Sequence, residues 1–154
     1  MSNIQKAFKI IERNIDEADF VGAVPIEVIN NCQSDLNLKF PKSYIEFLSN
    51  YGLGDIFGEE IYGLGVEEVG IPHVKWITLE LRKDVNLPNH LVPIYNTGYD
   101  NEYYCLDCSK ISDSEDDNAP VISFISADES EQEYELIEKD FGTFLYKLLK
   151  EAME

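Results

Sequence analysis

The sequence predicts an α+β fold: a central antiparallel sheet flanked by N-terminal helices and a C-terminal helix. Three observations predict it. Residues 36–52 read as the junction of two helices, one ending near Asn37 and the next running from Pro41 to Gly52. Beyond that point glycines at 52, 54, 58, 63, 65 and 70 punctuate short apolar pieces, the texture of short strands and tight turns. The chain then closes on Phe141, Phe144, Leu145, Leu148 and Leu149, a helical stripe. Helices, then strands, then a helix is the order of a sheet covered by helices.

Each element has its own reason. Ile4, Phe8, Ile11 and Ile15 repeat at helical spacing, with Lys6, Lys9 and Arg13 off the stripe, which predicts an amphipathic first helix. Pro25 suits the opening of a second helix whose buried face is Val28, Ile29, Cys32 and Leu36. In the third, Tyr44, Phe47, Leu48 and Tyr51 share one face, and Gly52 suits the left-handed residue that ends a helix. Residues 73–83 favour a helix through Val74, Ile77 and Leu81, although their alternation also fits a strand. Residues 91–95 and 102–108 read as a hairpin around 96–100. A polar acidic loop, 112–118, precedes a strand at 121–125 rich in β-branched and aromatic residues. Residues 133–136 read as a last short edge, and Asp140 as the N-cap of the final helix.

The 154 residues suit one domain spanning 1–154, with enough apolar content (44%) for a real core. Thirty acidic against 12 basic side chains give a net charge of −18. That balance argues against nucleic acid or an anionic membrane surface as a partner, because phosphates attract Lys and Arg. It favours a basic partner or simple solvation. The N-terminal residues lack the apolar stretch of a signal peptide, and no run approaches a membrane span, so the expected location is cytoplasmic.

Catalytic and metal patterns are weak. Cys105 and Cys108 form a C-x-x-C, but in a strand pattern their side chains point to opposite faces, and a closed zinc site needs four ligands. They read as structural cysteines, and Cys32 as a core residue. His73 and His90 stand alone, without a nucleophile motif, a Walker loop or H-E-x-x-H. Asp113, Glu115, Asp116 and Asp117 alternate as calcium loops do, but counting from Asp113 the sixth and twelfth positions are Asn118 and Phe124 instead of Gly and Glu. A solvated loop is the expectation there. No enzyme, no metal and no cofactor are expected.

What remains is acid mixed with tyrosine: Glu59, Glu60 and Tyr62, then Glu67 and Glu68, then Tyr99, Asp100, Glu102, Tyr103 and Tyr104. Tyrosine gives large contact area at low entropic cost, and carboxylates beside it add charge complementarity to a basic partner. For any single tyrosine, half-burial in a strand is the alternative. As a group they are the best interface candidate in the chain.

The helix junction also carries a pattern. Leu36, Leu38, Phe40-Pro41, Tyr44, Phe47-Leu48 and Asn50 to Gly52, followed by Ile61-Tyr62-Gly63-Leu64, resemble the SUKH superfamily. Leu91-Val92-Pro93-Ile94 and Tyr104-Cys105-Leu106-Asp107 are similar to its central hairpin. Two residues depart: Gln33 stands where many members carry Glu, and Asn37 where they carry Gly. Asn tolerates the left-handed conformation, so the turn survives. The superfamily includes bacterial immunity proteins and a fungal regulator of cell-wall synthesis. The resemblance implies an immunity protein that neutralises a cognate secreted LXG-type toxin, a ribonuclease with a basic nuclease domain, by direct stoichiometric association. The alternative it implies is a regulatory scaffold that binds host proteins. Under the first reading the binding face is Glu59, Glu60, Tyr62, Glu67, Tyr99, Asp100 and Glu102, with Asp55 and Trp76 at its rim or floor. A homodimer through an edge strand is compatible with the pattern and not required by it.

Overall fold

A computed structural model describes residues 1–65, 70, 72–99, 101–126 and 134–154. Helix α1 (Asn3–Arg13) starts at a capping box, in which the Ser2 hydroxyl accepts from Gln5 N and the Gln5 side chain accepts from Ser2 N. It buries Ile4, Ala7 and Ile11. Ile15, expected on the same stripe, falls beyond the helix in a 3-10 turn (Ile15–Glu17) and is exposed. Strand β1 (Ala18–Phe20) follows; its three residues are too few for a sequence pattern to register.

Helix α2 (Ile26–Leu36) buries Ile29, Cys32 and Leu36, while Val28, expected on that face, is exposed. Asn37 closes it at φ 56°, the left-handed geometry that the departure from Gly tolerates. Helix α3 (Lys42–Asn50) is preceded by Pro41 in extended conformation, so Pro41 takes the N-cap position and not the first helical one. Gly52, at φ 74°, donates to the Phe47 and Leu48 carbonyls and ends the helix as expected.

A proline cannot cap with its side chain, and the missing acceptor arrives from far along the chain. Asp117 Oδ1 accepts from Ser43 N at 2.9 Å and from the Ser43 hydroxyl at 2.7 Å. Asp116 O accepts from Lys42 N at 2.8 Å, and Lys42 Nζ pairs with Glu115 at 3.2 Å. Asp116 Oδ2 in turn accepts from Ser112 N and Oγ, which holds its carboxyl below the ordinary range. The expected solvated loop is therefore a docked cap on the N-terminus of α3, where a carboxylate is favoured. Asp117→Ala should cost about 1–2 kcal/mol in urea unfolding. A loss no larger than that of an Asp113→Ala control would show that the loop does not hold the helix.

Strands β2 (Gly54–Ile56) and β3 (Glu59–Ile61) form a hairpin that turns at Phe57 and Gly58, at φ 56° and 79°. Residues 74–85 are helical: α4 (Val74–Val85) buries Val74, Ile77, Thr78 and Leu81 and ends at a left-handed Asn86. Strands β4 (Leu91–Asn96), β5 (Glu102–Asp107), β6 (Val121–Ile125) and β7 (Leu136–Glu138) follow, then α5 (Phe141–Met153). Asp140 caps α5 by accepting from Thr143 N.

All named strand pairs are antiparallel, but the expected single sheet is two among the described residues: β1-β2-β3 and β4-β5-β6-β7. The β4–β5 register shifts between Pro93 and Tyr95, which leaves Ile94 outside the pairing. The Ile94 carbonyl accepts from Tyr62 N at 2.9 Å, and this bond joins one sheet to the other.

One hydrophobic core runs beneath both sheets. At its centre Tyr44 packs edge-on against Phe40 and Phe141 and stacks with Phe47. Helices α1 and α5 lie together, and Gly142 permits it: a Cβ there would stand 3.1 Å from Ile4. Cys32, Cys105 and Cys108 are free thiols buried in this core, and burial raises the thiol pKa of the latter two. A buried neutral thiol is a poor nucleophile.

Candidate partner-binding cleft

The two hairpins face each other. The β2–β3 hairpin brings Glu59 and Glu60 to one side, and the β4–β5 turn brings Asn96, Thr97 and Gly98 to the other. Between them lies a cleft of about 280 Å³, with Gly58, Tyr62 and Tyr95 completing its lining. Glu59 projects on the inner side of its strand, where its Oε2 accepts from the Tyr95 hydroxyl at 2.5 Å. Tyr95 is fixed in turn by ring contacts with Tyr104 and Phe144. Burial and the Glu59 carboxylate raise the Tyr95 pKa, so the phenol stays a donor.

Glu60 projects to the other face and begins a row. Asp19, Asp55 and Glu60 stand directly opposite one another across β1, β2 and β3. Like charges in that position repel. Partial burial and then Asp55 raise the Glu60 carboxyl pKa. The sign follows: a carboxyl that binds its proton more tightly when folded favours the fold in acid, and that contribution is lost as pH rises through its folded pKa. Glu60→Gln should therefore stabilise the protein at pH 7 by about 0.2–1 kcal/mol, with the gain fading towards pH 3. Denaturant midpoints at the two pH values test this; a constant difference would rule out charge repulsion as its source.

The turn is built by its own side chains. Gly98 N donates to Asn96 Oδ1 at 2.8 Å, and Tyr99 N to Thr97 Oγ1 at 3.2 Å. Glu102, on β5, accepts from Thr97 Oγ1 at 3.1 Å and from Ser123 Oγ at 2.6 Å. Its carboxylate thus braces the hairpin as well as adding charge.

The predicted site residues fall into groups. Glu59, Glu60 and Tyr62 line the cleft together. Asp55 lies beside it in the acidic row. Tyr99 stands at the tip of the opposing turn, 77% exposed. Tyr62 is 1% exposed, so it forms the floor and offers no free contact area; burial pushes its pKa up to about 12. Trp76 is half-buried on α4 and does not line the cleft. Glu67 and Asp100 lie outside the described residues.

Sequence reasoning missed Asp19, Tyr95, Asn96 and Thr97. Asp19 belongs to a strand too short to recognise. Tyr95 was legible only as a strand residue, because its pairing with Glu59 crosses 36 positions.

A larger groove, about 570 Å³, lies between α2 and the acidic loop. Its polar groups already serve the fold. Gln33 Oε1 accepts from Phe40 N at 2.8 Å, Gln33 Nε2 donates to Asn30, and Lys39 Nζ donates to Ser112 O. The departure from Glu at position 33 keeps the acceptor that the turn requires. The hairpin cleft, with its carboxylates, is the better candidate.

One comparison bears on this arrangement. The SUKH_5 family model, described as SMI1-KNR4 cell-wall, matches residues 4–150. The match runs from α1 to α5 and includes both helices of the junction, both hairpins and the cleft between them. The chain belongs to the SUKH superfamily.

Proposed function

We propose that the chain is an immunity protein, similar to the Bacillus protein YobK, that neutralises a cognate LXG-type secreted toxin by direct stoichiometric binding in the cytoplasm. The observation that carries this reading is the acidic row and cleft at the hairpin tips of a chain of net charge −18. A ribonuclease site is basic because it must hold phosphates, and an acidic surface competes for it. Charge steers the encounter, and aromatic contact slows release. The proposed action is binding, with no chemistry on the toxin.

The test is co-purification from the native host with the protein tagged, scoring the partner for RNA cleavage before and after the complex is separated. The expected result is a basic partner that cuts RNA only once freed. Recovery of host regulatory proteins alone, while toxins are expressed, would instead support a non-enzymatic regulatory scaffold. The cell-wall description of the matching family favours that second reading.

A further inference from the structure

We propose that the α1–α5 face is a docking surface for an acidic amphipathic helix of a protein partner, an inference independent of the inhibitor reading above. In a chain of net charge −18, these two packed helices run against the average. They carry five of the 12 basic side chains and only two of the 30 acidic ones, Glu12 and Glu151. Lys147 pairs with Glu138 at 3.0 Å. No ion pair among the described residues uses the other four, Lys6, Lys9, Arg13 and Lys150, in a chain where carboxylates outnumber cations. Two of these four are held by an aromatic ring instead of a counter-ion. The Tyr146 ring, on α5, takes the Lys6 ammonium at 5.4 Å from its centre and the Lys150 ammonium at 5.8 Å. One ring thus gathers cations from both helices onto one seam.

The spacing of the cations sets the shape of the occupant. Lys6, Lys9 and Arg13 stand at i, i+3 and i+7 of α1, a stripe about 10 Å long at a rise of about 1.5 Å per residue. Lys9 and Arg13 are exposed and Lys6 is half-buried. A helix laid along α1 presents carboxylates at the same period. Beside the stripe runs a groove of about 470 Å³, lined by Met1, Gln5, Phe8, Lys9 and Glu12. Phe8 is half-buried and fixed by an edge-on contact with Tyr51, so the groove offers a held aromatic wall to an apolar side chain of the same helix. Lys9 belongs to both stripe and groove and joins the two requirements, charge and apolar contact. A nucleic acid is the poorer occupant: four cations match a few phosphates, and the rest meet the acidic surface around them. An anionic membrane meets that same surface. A short acidic helix confines its charge to the stripe, and at physiological salt more distant charges are screened beyond about 8 Å.

The test uses the full chain and a lactam-bridged helical peptide of about 18 residues, long enough to hold its helix, with glutamates at i, i+4 and i+7 and leucines on the adjoining stripe. It is titrated to millimolar concentration while backbone amide resonances are followed. The peptide should shift Lys6, Phe8, Lys9 and Lys150, and a scrambled peptide of the same composition should bind at least fivefold more weakly. The double variant Lys9→Gln with Arg13→Gln should weaken the helical peptide at least fivefold. Lys83→Gln with Lys110→Gln, also exposed, changes the net charge by the same amount and should leave binding unchanged. The matched pair separates the stripe from the charge of the whole molecule. Absence of binding at millimolar peptide, shifts scattered away from α1 and α5, equal effects of the two double variants, or equal binding of the two peptides would each overturn the proposal. So would tighter binding at this face by an oligothymidylate or by phosphatidylglycerol vesicles, which would make a nucleic acid or a membrane the occupant.

Discussion

Gly63→Ala is expected to be strongly destabilising. A Cβ at Gly63 would lie 1.8 Å from the Gly52 carbonyl oxygen, which is backbone and has no rotamer to change. That oxygen already accepts from Leu64 N at 3.1 Å. Gly63 is tied on its other side as well: its N–H donates to Pro72 O, and its carbonyl accepts from Val74 N at 2.7 Å. Relief must therefore separate the end of α3 from the strand that leads out of β3, and it breaks hydrogen bonds on both sides. The loss should reach about 3 kcal/mol or more, the upper end of overpacking. Gly58→Ala is the control, because its Cβ would meet nothing within 4 Å and only its φ of +79° is strained; about 1–2 kcal/mol is expected there. Urea midpoints for the two variants decide the matter. Equal losses would mean that the close approach at Gly63 yields easily. The same contact sets the position of the cleft, since Gly63 directly follows its floor residue, Tyr62.

Tyr44→Phe should have the second-largest effect. The Tyr44 hydroxyl donates at 2.7 Å to the Tyr62 carbonyl, and the pair is fully buried. The ring itself would be preserved by Phe against Phe40, Phe47 and Phe141. What is lost is the donor, leaving a buried carbonyl without it, at a cost of about 1–3 kcal/mol. Burial raises the Tyr44 pKa well above the ordinary value. An acid held protonated by the fold contributes fully below its unfolded pKa, near about 10, and that contribution falls as pH rises further. The stability difference between wild type and Tyr44→Phe should therefore be constant from pH 6 to 9 and shrink above pH 10. A flat difference at high pH would show that Tyr44 is not the group being titrated. Since Tyr62 N also holds the two sheets together through Ile94 O, the variant should in addition broaden the amide resonances of the cleft.

The helices were the most legible elements, for a local reason. A helix writes its buried face into positions three and four apart, and its ends into residues that tolerate special backbone angles. Phe47, Leu48 and Gly52 state α3 almost completely, and Asn37 closes α2 in the left-handed geometry that its side chain allows. Errors arose where local rules compete. Pro41 has the φ of a first helical residue, but its extended ψ of 156° places it one step earlier. Val28 fits the apolar stripe of α2, yet among the described residues it is left exposed. Residues 112–118 read as a solvated loop because nothing nearby in sequence explains their charge; their partner is the N-terminus of α3, some 70 positions away.

The candidate site divides along the same line. By itself the sequence determined the α+β class, the excess of carboxylates and their concentration with tyrosines near two turns, because composition and periodicity are local properties. Only the tertiary structure decided that Tyr62 is floor and not contact surface, that Asp19 joins Asp55 and Glu60 in one row, and that Tyr95 fixes Glu59. The physical reason is the geometry of strands. Which carboxylates become neighbours depends on strand register, and which tyrosines reach solvent depends on what packs over them. Here the acidic row follows from the β1–β2–β3 register, and the burial of Tyr62 from its place where its N–H bonds to Ile94 O of the second sheet.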